Sequence, residues 1–141
     1  MTDNSIDELT LARLRKQRDE AQAHYDQAPG AFLAAWLKGI KVIGEGWFTY
    51  NPQCCEKAPS LDQVCDKWQV IPDYELINQR IGVLSGGEAA LLAAMCSFYN
   101  AEWGGQLLQD LGIQGLADIS AKLDLAENRI VADLLVNYTG W

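Results

Sequence analysis

Ser85-Gly86-Gly87-Glu88-Ala89-Ala90-Leu91-Leu92-Ala93-Ala94-Met95-Cys96-Ser97-Phe98-Tyr99 holds the longest unbroken apolar run of the sequence. Ser85 and Glu88 stand at the spacing of a capping box, in which the hydroxyl accepts from the third N–H and the carboxylate reaches back, so a helix begins here. From Ala89 to Tyr99 the only polar side chain is Ser97. A helix that is apolar all round has no face to turn to water and must be surrounded by protein. Its unbroken apolar run, Ala89 to Cys96, is eight residues, far short of the ~20 needed to cross a bilayer. The stretch therefore predicts the central helix of a helical domain, over residues 86–99, and no membrane span.

Towards the C-terminus, Asn100 and Gly104-Gly105 interrupt or bend the pattern before Leu107, Leu108 and Leu111. Gly112 and Gly115 suit a helix end and a turn, and a short helical turn covers Leu116 to Lys122. Asp124 with Glu127 is another capping box. Ile130, Val131, Leu134, Leu135 and Tyr138 then form one apolar stripe, which leaves Glu127, Asn128 and Asp133 for water. Trp141 is expected to tuck against the core, the alternative being an exposed apolar anchor.

Towards the N-terminus, Asp73 caps a helix carrying Tyr74, Leu76, Ile77, Ile81 and Leu84. Ser60 with Gln63 opens a helix through about Trp68. The aromatic and β-branched residues 47–50 read as a short strand, able to pair with 68–71 in a minimal two-stranded ribbon. Residues 51–60 read as an exposed loop. Ala31 to Leu37 begins a helix just after a break at Pro29-Gly30, and Gly39, Gly44 and Gly46 weaken its continuation. Ser5 and Glu8 cap an N-terminal amphipathic helix within 1–28, whose stripe of Leu11, Leu14, Ala21 and Tyr25 is interrupted by Arg18; it is expected to pack peripherally.

The 141 residues fit one domain. With 49% hydrophobic and 21% charged residues, the chain has the composition of a folded globular protein. The expected architecture is mostly α, a single-domain irregular orthogonal bundle of about five to seven helices with the ribbon at its side. Net charge is -8, of which residues 58–141 carry -7. Such a surface repels polyanions, so nucleic acid is not expected as a partner, and a basic protein surface is. The first ten residues, MTDNSIDELT, lack a secretory signal's basic and apolar regions; with four cysteines this points to free thiols and a cytoplasmic location.

Leu84-Ser85-Gly86-Gly87-Glu88 resembles the signature motif of ABC-type ATPases, where a Gly-rich turn at a helix N-terminus receives a nucleotide phosphate. The resemblance covers five residues, and the Walker A loop such an enzyme also needs is missing, since no Gly-Lys dipeptide occurs. The motif is read as a helix cap. Cys54, Cys55 and Cys65 match no structural zinc spacing, and Cys65 and Cys96 are expected on buried helix faces. Cys54-Cys55, near Lys57, has the surroundings of a redox-sensing pair. His24, the only histidine, shares its helix with Glu20 and many charges, and reads as solvated; Asp62 and Asp66 stand one turn apart without a shared cleft. Arg13, Arg15, Lys16 and Arg18, flanked by Asp7, Glu8, Asp19 and Glu20, suit i,i+4 pairing on a solvated helix. Neither a G-x-S-x-G elbow nor a dinucleotide-binding turn is present, and no metal or cofactor is expected.

Five tryptophans are the most suggestive feature, because Trp is enriched at interface hot spots. The expectation is a non-catalytic, acidic interaction module that binds a protein or a second copy of itself, with Trp103 and Trp141 as first contact residues. The alternative is a small enzyme or ligand-binding domain with a pocket near Glu45, Trp47 and the Cys54-Cys55 loop.

Overall fold

A computed structural model describes residues 6–51 and 60–141. The first helix, α1, runs Glu8–Ile43, 36 residues and about 54 Å at 1.5 Å per residue. It passes straight through Pro29, which corrects the expected break there and joins the two N-terminal helices into one. Proline lacks the N–H for its helical bond and costs ~3 kcal/mol in a helix interior. Phe32, Trp36 and Ile40, one to three turns further on, are fully buried, and each such burial is worth roughly 1.5–3 kcal/mol or more. The apolar face outweighs the proline. Asp7 caps α1, accepting from the Thr10 N–H at 2.7 Å; Ser5 lies outside the described residues. Gly39 stays inside the helix because a Cβ there would meet Met95 Sδ. Gly44, at φ 119°, ends α1 with its N–H on Ile40 O at 2.7 Å.

After a short 3-10 turn at Glu45–Trp47 comes β1 (Phe48–Tyr50), antiparallel to β2 (Val70–Pro72), with Thr49 opposite Ile71. The ribbon forms a little later than expected, because Trp68 belongs to a 3-10 turn, Lys67–Gln69. Trp36 ties the ribbon to α1 by donating its indole N–H to Val70 O at 3.1 Å. The helix expected from Ser60 to Trp68 is only a 3-10 turn at Leu61–Gln63, with Ser60 N–H on Gln63 Oε1 at 3.4 Å. Asp73 caps α2 (Tyr74–Arg80), accepting from Leu76 N–H at 3.2 Å.

Helix α3 (Gly86–Tyr99) is the central helix: every residue from Ala89 to Cys96 is buried. It touches α1, β2, α4 (Ala101–Asp110), α5 (Leu116–Lys122) and α6 (Leu125–Asn137). Ser85 Oγ accepts from Glu88 N–H at 3.3 Å, which is half of the capping box read from the sequence. Asn100 ends α3 and caps α4, accepting from Trp103 N–H at 2.9 Å. Gly104-Gly105 does not bend the chain but lies inside α4; a Cβ on Gly104 would come within 2.2 Å of the Ser97 backbone, so glycine lets two helices cross in contact.

Helix α6 runs antiparallel to the C-terminal half of α1, with Ile130 beside Gly39 and Tyr138 beside Phe32. Ile130 and Leu134 are buried, while Leu135 is exposed. Glu127, expected in water, is 7% exposed. Its carboxylate accepts from Asp124 N–H at 3.1 Å while Asp124 Oδ1 accepts from Glu127 N–H at 2.7 Å. The reciprocal cap draws the side chain inward beside Gly87, at the positive end of α3, where a carboxylate is favoured. Asn128 is likewise engaged, donating to the carbonyls of Ser120, Leu123 and Asp124, each at 3.1 Å.

Candidate functional site

Trp141 folds back onto the core, its ring 5.1 Å from Trp36 and 5.2 Å from Tyr99 between centroids. The same fold-back assembles a cage around one cation. Lys67 Nζ lies 5.0 Å from the Phe32 ring, 5.2 Å from Trp68, 5.6 Å from Tyr138 and 5.0 Å from Trp141. It also donates to Gly140 O, pinning the last residues to the turn that follows Asp66. Burial holds the Lys67 ammonium below the usual lysine range. Beside it lies a cavity of about 290 Å³ lined by Pro29, Phe32, Cys65, Trp68 and Trp141 among others. Ring faces and a carbonyl stabilise the cation there; the Asp66 carboxylate is committed to the Trp68 N–H at 3.0 Å.

Trp103 is half-buried, its indole N–H on Asn78 Oδ1 at 2.8 Å and its ring 4.9 Å from that of exposed Tyr74. Asn100, Glu102 and Gln106 complete an open, polar depression around the pair. Trp103 and Trp141 both lean on Tyr99, from which Trp103 is 6.4 Å and Trp141 5.2 Å distant.

The pocket of the alternative reading falls partly outside the described residues. Glu45 is exposed, Trp47 is half-buried with its carbonyl accepting from Asp73 N–H at 2.9 Å, and Cys54, Cys55 and most of loop 51–60 lie outside the described residues. Cys65 is exposed on a non-helical segment, a correction to the buried helix face expected for it; Cys96 is buried, and burial pushes its thiol up. Asp62 faces Lys41 at 3.9 Å, away from the Asp66 cap. Among the described residues no three His, Cys, Asp or Glu side chains gather as metal ligands. His24 is exposed, as expected, with its Nε2 3.0 Å from Val136 O.

The N-terminal half of α1 is the other prominent feature. From Glu8 to Gln27 the helix is regular and no residue is buried. Leu11, Leu14, Arg18, Ala21, Tyr25, Ala28, Phe32, Ala35 and Gly39 follow one another in alternate steps of three and four, the spacing of a coiled-coil seam. The last four are buried in the body, but along the same line Leu14 is 48% and Tyr25 63% exposed. One continuous seam is thus covered at one end and bare at the other. The sequence carries that signal throughout; Pro29-Gly30 conceals it by suggesting that the register restarts. The i,i+4 pairs expected among the charges of this arm are not made: among the described residues, the ion pair within 4.0 Å is that of Lys41 and Asp62.

No helix among the described residues is long and apolar enough to cross a membrane. Compared with models of known protein families, with curated proteins and with solved structures, the chain matches none.

Proposed function

We propose that the protein is a non-catalytic interaction module whose main binding element is the arm formed by residues 8–27. The observation that carries this reading is the seam of α1, formed as helix yet bare along Leu14 and Tyr25. Isolated helices of this length are marginal in water, and here the body holds the arm in shape from Ala28 onwards. A preformed helix with an apolar line suits helix-on-helix recognition, because little ordering entropy remains to be lost on binding. The polar Tyr74–Trp103 depression beside Glu102 supplies a second contact, with the net negative charge of the chain setting encounter with a basic protein surface and the ring supplying affinity. Trp141 acts in this reading as a core ring, not as a contact residue.

A ligand-binding domain is the second reading, and the cavity beside Lys67 favours it. Native mass spectrometry of the freshly purified protein separates the two. A dimer or a stoichiometric protein complex, lost in the Leu14→Glu/Tyr25→Glu variant at unchanged melting temperature, supports the module. A monomer carrying a small molecule that Trp141→Ala releases supports the ligand-binding domain and overturns the module.

A further inference from the structure

We infer that the arm of α1 pairs antiparallel with the arm of a second copy of this chain. The inference rests on the arm being a binding element and names its occupant.

Arg13, Arg15, Lys16 and Arg18 make the first part of the arm positive, and Asp19, Glu20 and Asp26 make the second part negative. A two-fold interface must be complementary to itself. Antiparallel pairing about the 18–21 region lays the positive stretch of each copy along the negative stretch of the other, whereas parallel pairing sets like charge against like. Because these cations have no carboxylate within 4.0 Å in the isolated chain, the cross-pairing competes with no existing ion pair.

The apolar line fits the same register. Leu14 falls opposite the partner's Tyr25 and Arg18 opposite the partner's Ala21, so large side chains meet small or planar ones. Arg18, the interruption of the stripe, crosses over the partner's Ala21 with its stem and reaches towards the partner's Glu20 with its head; a polar residue at one seam position fixes register. In this register the arm's first residues, with exposed Ile6 and Leu9, reach the partner's body, which begins at Ala28. In this register residues 12–27 of each arm pair, about 24 Å of helix, an interface at the small, transient end of the known range, so the dimer is expected to dissociate on dilution.

Sedimentation of the full-length protein across a concentration series is the test. The expected result is a monomer–dimer equilibrium weakened by salt, and shifted at least tenfold towards monomer by Leu14→Glu/Tyr25→Glu with an unchanged melting temperature. Orientation is read by oxidative cross-linking with peptide mapping: Leu14→Cys mixed with Tyr25→Cys should link position 14 to position 25, and Leu14→Cys alone should not link to itself. A self-link at position 14 overturns the antiparallel arrangement. A monomer at every concentration with protected amides in 8–27 overturns self-pairing and leaves the arm free for another protein. Amides in 8–27 that exchange at the rate of an unfolded chain overturn self-pairing and the interaction-module reading together.

Discussion

A Cβ built on Gly104 would lie 2.2 Å from Ser97 Cα, whereas one built on its neighbour Gly105 would meet nothing within 4 Å. Both are helical, so alanine gains ~0.5–1 kcal/mol of helix propensity at either position. At Gly104 that gain is overwhelmed, because the obstacle is backbone and cannot swing aside; separating α3 from α4 is expected to cost ~3 kcal/mol. Thermal or urea unfolding of Gly104→Ala and Gly105→Ala should therefore show opposite signs, and a Gly104→Ala variant as stable as the parent would disprove the close crossing. In the sequence the two glycines are indistinguishable and read as a helix break. Only the crossing helix separates them. Glu127 teaches the same lesson: its capping role is legible from its spacing to Asp124, but its burial depends on Gly87, far away along the chain.

At the scale of the element, α1 depends on a cap at one end and a core at the other. The Thr10 N–H bond holds the Asp7 carboxyl below its usual pKa. A carboxyl whose pKa is lower in the helix than in the coil stabilises the helix above the coil value, and that contribution is lost as pH falls through the helical value. The first turn of the arm should therefore fray as pH drops below about 4, seen as faster amide exchange at Thr10 and Leu11 relative to the intrinsic rate. Asp7→Asn, which keeps a capping oxygen, should remove the pH dependence and leave the turn formed. If the wild-type turn loosened no more than that of Asp7→Asn, the charged cap would have no part in it. Local hydrogen-bonding spacings such as Asp73 to Leu76 and Asp124 to Glu127 were readable because both partners lie within one turn. The continuity of α1 was not, since Pro29 and Gly30 are local signals for an end, and the burial of Phe32 and Trp36 that overrides them is non-local.

Across the whole molecule, protection should fall from α3 outwards. Cys96 is fully buried at the centre and its thiol is pushed up by burial, whereas Cys65 is exposed. A thiol reagent should modify Cys65 in the folded protein and reach Cys96 only through global opening. The opening free energy from Cys96 labelling should then equal the unfolding free energy from urea, and faster labelling would show that α3 is not the last element to open. The helical class, the central place of residues 86–99, the two-stranded ribbon and the caps of α2, α3 and α6 were legible in the amino-acid order. These follow from periodicity and from bonds spanning three or four residues. Tertiary structure alone decided that Lys67 meets Phe32, Tyr138 and Trp141, that α1 is one helix, and that its seam is covered from Ala28 onwards but bare before it. Each of those outcomes sets a local preference of a few kcal/mol against burial of side chains distant in the chain, and which side prevails is fixed only once the distant partners are in place.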